Sequence, residues 1–173
     1  MPRLAIVEPK DATGEAARVL SAAPINIFKG LAVHPPILGA FVAFSSALDQ
    51  GGALTKLERG LIQLRVSELR RCVYCVTAQT KVAAGAGLDE HGALDARRGR
   101  ATDPKHRALL AFAEAVLTKN GVVSDAQLQA FRAAGYSDQA VIEVIASITL
   151  MTFTNLYNQV HDTVVDFPPV PVA

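Results

Sequence analysis

Apolar residues recur along the chain at the three- to four-residue spacing of helices, and the alternation typical of strands is missing. Proline, glycine and capping residues divide this pattern into segments. The predicted helices cover residues 11–22, 25–33, 37–48, 55 to about 71, 72–84, 89–96, 105–118, 124–134 and 137–164. The pattern predicts an all-α fold in a single domain over residues 1–173. Its core spans about 35–165, with an N-terminal helix before it and an extended, proline-rich tail after it.

Local signals mark where several of these helices begin. Thr55 followed by Glu58, and Ser124 followed by Gln127, have the form of capping boxes. Asp103 before a proline supplies an N-cap for the helix that follows. The last helix, which Ser137 caps, is apolar nearly all round, so we expect it to be central or to lie at an interface.

Composition narrows the functional class. The formal net charge is +1 with acids and bases interspersed, so the sequence shows no electrostatic footprint for nucleic acid or an anionic membrane. Half of the residues are apolar and 19% are charged, which favours apolar surface hidden in a homo-oligomer. The N-terminus lacks the apolar core of a secretion signal, and no apolar stretch is expected to span a membrane, so we expect a cytoplasmic protein.

The two cysteines of the chain, Cys72 and Cys75, stand at C-x-x-C spacing where a helix is expected to begin. Residues three apart on a helix lie roughly 5–6 Å apart, which suits a disulfide. Two features favour the thiolate form of these cysteines: the positive charges of Arg70 and Arg71, and the position at a helix N-terminus. The pair therefore predicts redox chemistry. A structural zinc site is disfavoured because it needs four ligands and the sequence offers no second pair. A purely structural disulfide is also disfavoured, because closing a four-residue loop stabilises the folded protein only slightly. Two cysteines packed as small apolar residues are the main alternative. An all-α fold excludes a thioredoxin.

The run from Leu57 to Cys75, of the form L-I-x-L-R-V-S-x-L-x-x-C-x-Y-C in its later part, resembles the carboxymuconolactone decarboxylase and alkyl hydroperoxidase D superfamily. Residues 154–158 and 166–168 are also similar to the C-terminal end of that family. The resemblance covers most of the chain from about Pro35 onward. It implies an alkyl hydroperoxidase D-like helical bundle that assembles into trimers or hexamers, with the cysteine pair near a subunit interface.

The resemblance also implies roles for the cysteines. Cys75 would be the peroxidatic residue that attacks a hydroperoxide, and Cys72 would resolve the sulfenic acid as a disulfide. The implied partners are a hydroperoxide or disulfide substrate and a dithiol reductant or redox protein. Neither a cofactor nor a metal is implied.

The chain departs from the peroxidase pattern at three positions that carry its proton relay. Gly60 stands where the family has Glu, Tyr74 stands at a His position, and Gln79 stands at a second His position. We therefore expect slow turnover of peroxide. Glu68, Tyr74 and His161 are the auxiliary candidates, with His161 the base that folding is most able to bring in, whereas Glu58 points from the wrong face of its helix.

Two other functions stay open at this point. The first is a cofactor-free decarboxylase or lyase for a small lactone acid, which needs a base and a cation; Arg65 or His161 would serve. The second is a non-catalytic helical oligomer that binds an apolar ligand or partner.

Overall fold

The computed structural model describes residues 2–173, and these residues form α-helices joined by short turns, with no β-strand. A 3-10 turn at Pro9–Asp11 precedes the first helix. The helices are α1 (Gly14–Ala22), α2 (Asn26–Leu31), α3 (Pro35–Gly51), α4 (Lys56–Leu69), α5 (Val73–Ala84), α6 (Glu90–Arg97), α7 (Pro104–Thr118), α8 (Asp125–Ala133) and α9 (Asp138–His161). The all-α prediction is confirmed.

The predicted caps form as expected. The Thr55 hydroxyl accepts a hydrogen bond from the Glu58 amide at 3.1 Å, and the Glu58 carboxylate accepts one from the Thr55 amide at 2.8 Å. The same reciprocal pair joins Ser124 and Gln127, and Asp103 caps α7. These bonds satisfy amides at the helix start that lack an intrahelical partner.

Several predicted helix boundaries were wrong by two or three residues, among them the ends of α2, at Leu31 and not Val33, and of α3, at Gly51 and not Leu48. α1 begins at Gly14 because Asp11 belongs to the 3-10 turn. α3 begins at Pro35, two residues early, because a proline in the first turn lacks only an amide that would have no partner there. α9 ends at His161 and not at Val164, because Asp162 adopts a left-handed conformation with φ of 55°.

Helix α4 lies at the centre of the molecule and packs against α5, α6, α7 and α9. Its apolar side chains Ile62, Leu64 and Val66 are completely or almost completely buried. Helix α7 contributes Leu109 and Leu110 to the same interior. Burial of this size stabilises by about 1.5–3 kcal/mol for each large aliphatic side chain.

Helix α9 has two different faces. Val144 and Met151 are buried in the core, whereas a line of exposed apolar side chains follows the opposite face: Ile142, Ile145, Phe153, Leu156 and Val160. The helix is also long and apolar enough to cross a membrane, contrary to the sequence expectation, but half of its most apolar window is buried against the rest of the chain. It is therefore a core helix of this fold.

The turn between α4 and α5 positions the cysteines. Arg71 reverses the chain in a left-handed conformation with φ of 54°. The Cys72 amide then donates a hydrogen bond to the Ser67 carbonyl at 3.1 Å. Cys72 consequently becomes the N-cap of α5, and Cys75 lies in the first turn of that helix.

Candidate active site

Cys72 and Cys75 are joined by a disulfide at the start of α5, with their Cα atoms 5.3 Å apart. The Cys75 amide donates a hydrogen bond to the Cys72 sulfur at 3.3 Å, in the manner of an N-cap. Amides at a helix N-terminus stabilise negative charge, and the same geometry favours a thiolate after reduction. Each cysteine is only 2% exposed, so a reactant reaches the pair through the interior.

That interior path is a cavity of about 650 Å³. Cys75 lines it, and Cys72 is not among its lining residues. Its apolar wall comes from α2, α3, α5, α9 and the C-terminal segment, and includes Ile25, Ile27, Phe28, Phe41, Ala78, Val82, Leu150, Met151 and Phe167. Its polar lining residues are Ser45, Asp49, Lys56, Arg59, Gln63, Tyr74, Gln79, Lys81, Thr154 and Asn158. A cavity that combines an apolar wall with polar side chains is typical of small-molecule sites.

Asn158 of α9 contacts the cysteine pair directly. Its side-chain amide donates a hydrogen bond to the Cys75 sulfur at 3.2 Å. After reduction, this donor would stabilise charge on Cys75. The sequence did not reveal this role, because the contact joins residues 83 positions apart.

Tyr74 ties three segments together. Its hydroxyl donates a hydrogen bond to the Asp166 carboxylate at 2.6 Å and accepts one from the Ile27 amide at 3.3 Å. Phe167 packs edge-on against its ring. Burial, reinforced by the bond to Asp166, raises the pKa of Tyr74 far above its usual value. The geometry therefore makes Tyr74 a clamp between α5, α2 and the C-terminal segment.

Glu68 faces away from the cavity. Its carboxylate accepts a hydrogen bond from Arg97 at 2.7 Å. Arg97 also donates one to the Pro171 carbonyl at 2.6 Å, which fastens the tail to the bundle. With its charge paired in this way, Glu68 holds the tail, and no described contact joins it to the thiols.

His161 is fully buried at the end of α9. Its Nδ1 accepts a hydrogen bond from the Leu4 amide at 3.3 Å, and its ring stacks on Tyr157. Burial lowers its pKa, partly offset by the neighbouring Asp162 carboxylate. His161 does not line the cavity, so folding does not bring it beside Cys75 there.

The positions of the missing relay lie along the α4–α5 hairpin. Gly60 faces Ala83, and a Cβ there would meet the Ala83 Cβ at an ordinary 3.5 Å. Gln79 lines the cavity one turn beyond Cys75. Burial opposes ionisation of Glu58, but hydrogen bonds from Thr55, Tyr136 and Lys105 outweigh it and hold the pKa of Glu58 below its usual value. The Glu58 carboxylate therefore has a structural role, since Thr55, Tyr136 and Lys105 occupy it.

Arg65, the cation considered for a lactone acid, does not line the cavity either. Its guanidinium binds Glu114 at 2.8 Å and the Arg97 carbonyl at 2.6 Å. Among residues 2–173, no group of three or more His, Cys, Asp and Glu side chains is placed to hold a metal ion.

Similarity to known proteins agrees with this geometry. Residues 35–103 match the carboxymuconolactone decarboxylase family. The fold is similar to an alkylhydroperoxidase AhpD core, an uncharacterized peroxidase-related protein from Ralstonia eutropha JMP134, with a TM-score of 0.85 and 24% identity over 95% of this chain and 92% of that chain. A peroxidase-related protein from Silicibacter sp. TM1040 gives a TM-score of 0.76 and 22% identity over 86% and 81%.

A third structure is the debrominase Bmp8, in a cysteine-to-alanine form bound to 2,3,4-tribromopyrrole. It has a TM-score of 0.79 and 19% identity over 96% of this chain and 92% of that chain. No curated protein matches the chain. The family match and the shared fold lead to one conclusion: residues 35–103, which carry both cysteines, match the carboxymuconolactone decarboxylase family, and the chain has an alkyl hydroperoxidase D-like fold.

Proposed function

We propose that this protein is a thiol-dependent oxidoreductase whose redox centre is the Cys72–Cys75 pair. The observation that carries the proposal is the placement of the two sulfurs. Cys75 lies on the wall of the cavity and Cys72 lies beside it, within bonding distance but off the cavity wall. This arrangement supports a role for Cys75 in meeting a substrate and a role for Cys72 in completing the disulfide.

The reaction starts from the reduced pair. The Cys75 thiolate attacks one oxygen of a hydroperoxide, which forms an S–O bond, breaks the O–O bond and releases an alkoxide that leaves as the alcohol after taking a proton. The Cys72 thiol then attacks the Cys75 sulfenic acid, which forms the S–S bond and releases water. The pair loses two electrons, and a dithiol reductant restores them by thiol–disulfide exchange.

The polar contacts support this division of roles. Asn158 donates to the sulfur of Cys75, which stabilises a thiolate there. The Cys75 amide donates to the sulfur of Cys72, which stabilises that thiolate when the disulfide is reduced. Each sulfur thus has one donor for its charged state.

The cavity holds no evident proton carrier for rapid peroxide turnover. The only carboxylate among its described lining residues is Asp49, and Arg59 binds it at 3.1 Å. The relay positions are occupied by Gly60 and Gln79. Peroxide reduction should therefore be slow, and a disulfide substrate, which needs only an accessible thiolate, is the other oxidant that the site supports.

Arg65 and His161 do not serve a lactone-acid reaction in this cavity, because neither side chain lines it; its cations are Lys56, Arg59 and Lys81. The debrominase relative shows that this fold serves more than one chemistry. The near-complete burial of both cysteines favours a non-catalytic role, but the opening of the cavity onto Cys75 favours catalysis.

Matched serine variants test the proposal. With organic hydroperoxide, Cys72→Ser should form a sulfenic acid at Cys75 that dimedone traps, and Cys75→Ser should consume no peroxide. Both variants should keep the helical circular dichroism of the wild type. Equal peroxide and disulfide consumption by wild type and Cys75→Ser would overturn the assignment.

A further inference from the structure

The cavity is chemically different at its two ends. Helices α4 and α5 run antiparallel, because a short turn joins them and Gly60 near the start of α4 meets Ala83 near the end of α5. Cys75 and Asn158 therefore lie at one end of the cavity, by the turn. The start of α4 and the end of α5 lie at the other end.

That second end is positively charged. Lys56 and Arg59 come from the first turns of α4, and Lys81 comes from the last turn of α5. Against these three cations, the lining residues include one carboxylate, Asp49, which is paired with Arg59. Among residues 2–173, Lys56 and Lys81 form no ion pair; Lys81 lies over the Phe167 ring, 5.6 Å from its centroid.

Helix stability accounts for one of these lysines and not for the other. A cation in the last turn of a helix is favourable, as Lys81 is in α5. A cation in the first turn opposes the helix dipole, and Lys56 is the first residue of α4. The placement of Lys56 thus weakens its helix slightly while it adds positive charge to the cavity.

We infer that the cavity binds an amphipathic acid, with its carboxylate between Lys56 and Lys81 and its apolar chain against Phe28, Phe41 and Met151. Lys81 follows Cys75 by six residues, which is about 9 Å along a helix. A chain that leaves the lysines can therefore bring a reactive group to Cys75 within the cavity.

The identity of the reactive group rests on the proposed function. The substrate would be an apolar acid that carries a hydroperoxide, which the pair reduces to the hydroxy acid and water as it becomes a disulfide. A dithiol reductant then returns the two electrons. Binding of the acid itself does not depend on that chemistry.

Binding is tested first, by calorimetry on the oxidised protein with decanoate and with decan-1-ol. Decanoate should bind more tightly than the alcohol, and Lys56→Gln with Lys81→Gln should weaken decanoate by about fivefold and leave the alcohol unchanged. The control double variant, Lys10→Gln with Lys119→Gln, removes exposed lysines elsewhere and should change neither. Equal affinity for decanoate and decan-1-ol would overturn the inference. So would an equal loss of decanoate affinity in the two double variants.

The reaction is tested with linoleic acid hydroperoxide, its methyl ester and cumene hydroperoxide on the reduced protein. The acid should oxidise the pair about fivefold faster than the ester, and the difference should shrink at high salt. Equal rates for acid and ester would sink the acid preference and leave the thiol chemistry standing. Failure of all three peroxides, with decanoate still bound, would remove the peroxidase activity and leave the acid site standing.

Discussion

At the scale of single residues, the account depends on which groups touch the sulfurs. The Asn158 side-chain amide donates to the Cys75 sulfur at 3.2 Å, and the Cys75 backbone amide donates to the Cys72 sulfur at 3.3 Å. The auxiliary candidates Glu68, Tyr74 and His161 instead have structural partners: Arg97, Asp166 and the Leu4 amide. The chemistry of the site is therefore concentrated in the two cysteines, the Asn158 side chain and the Cys75 backbone amide.

Tyr74 is predicted to stabilise the fold without donating a proton. Tyr74→Phe removes the hydrogen bond to Asp166 and should lower the free energy of unfolding by about 1 kcal/mol. The rate of thiol oxidation should not change, as measured by stopped-flow after reduction. Tyr136→Phe, which loses a comparable bond to Glu58, is the matched control. A slower oxidation in Tyr74→Phe alone would restore Tyr74 as a catalytic residue.

His161 is predicted to make stability depend on pH. Its pKa is lowered in the folded protein, so the unfolded chain binds the proton more readily, beginning near its usual value of about 6.5. The free energy of unfolding should be constant from this source above that pH and fall as the pH is lowered through 6.5 towards the folded pKa. Urea midpoints at pH 7.5 and 5.5 measure this effect.

The control for that prediction uses an exposed histidine. His161→Asn should reduce the loss of stability between the two pH values, whatever its effect on absolute stability. His91→Asn, at a site with a largely exposed side chain, should leave the loss unchanged. The same pH dependence in both variants would show that His161 does not titrate on unfolding.

At the scale of elements, the α4–α5 hairpin carries two of the positions at which its sequence lacks the relay residues, Gly60 and Gln79. A Cβ at Gly60 meets only Ala83, at ordinary contact distance, and Gln79 already lines the cavity. The double variant Gly60→Glu with Gln79→His should therefore oxidise faster with hydroperoxide, by about tenfold or more, since a positioned acid–base group contributes about 10²–10⁴-fold.

The matched control replaces the carboxylate by an amide. Gly60→Gln with Gln79→His has a similar volume but lacks the acid, and should gain less. Initial rates of hydroperoxide consumption, normalised to folded protein, compare the two. An equal rate in both double variants would mean that the missing Glu does not limit turnover.

The same elements show what the sequence reveals and what it hides. Helices and caps were predictable because their signals are local, as at Thr55 and Ser124. The two cysteines were found for the same reason. Asn158 was not found, because its contact with Cys75 joins residues 83 positions apart and depends on how α9 packs across α5. Asp166 of the C-terminal tail was missed for the same reason, because its hydrogen bond with Tyr74 joins residues that are far apart in the sequence.

At the scale of the whole molecule, the exposed apolar line on α9 predicts self-association. Ile142, Ile145, Phe153, Leu156 and Val160 recur at helical spacing on one face. An apolar line of this length favours burial against a second copy of the chain. Sedimentation velocity should therefore show a species larger than the monomer.

Charge placed on that line should dissociate the assembly. Ile145→Glu with Leu156→Glu is expected to shift the sedimentation coefficient to that of a monomer. Val122→Glu changes an apolar residue that is 78% exposed in the turn before α8, and should have no effect. An unchanged assembly in the α9 variant would place the interface elsewhere, and a wild-type monomer would contradict the prediction outright.

The central claim is that Cys72 and Cys75 act together as a redox centre, and one measurement tests it most directly. Reduced native protein is treated with one equivalent of organic hydroperoxide, alkylated and weighed intact by mass spectrometry. The account predicts that neither cysteine is alkylated. The protein mass should be lower than that of the reduced, unalkylated protein by two hydrogens, as an intramolecular disulfide requires. Two free, unmodified thiols after exposure, in protein that alkylates fully when denatured, would contradict it.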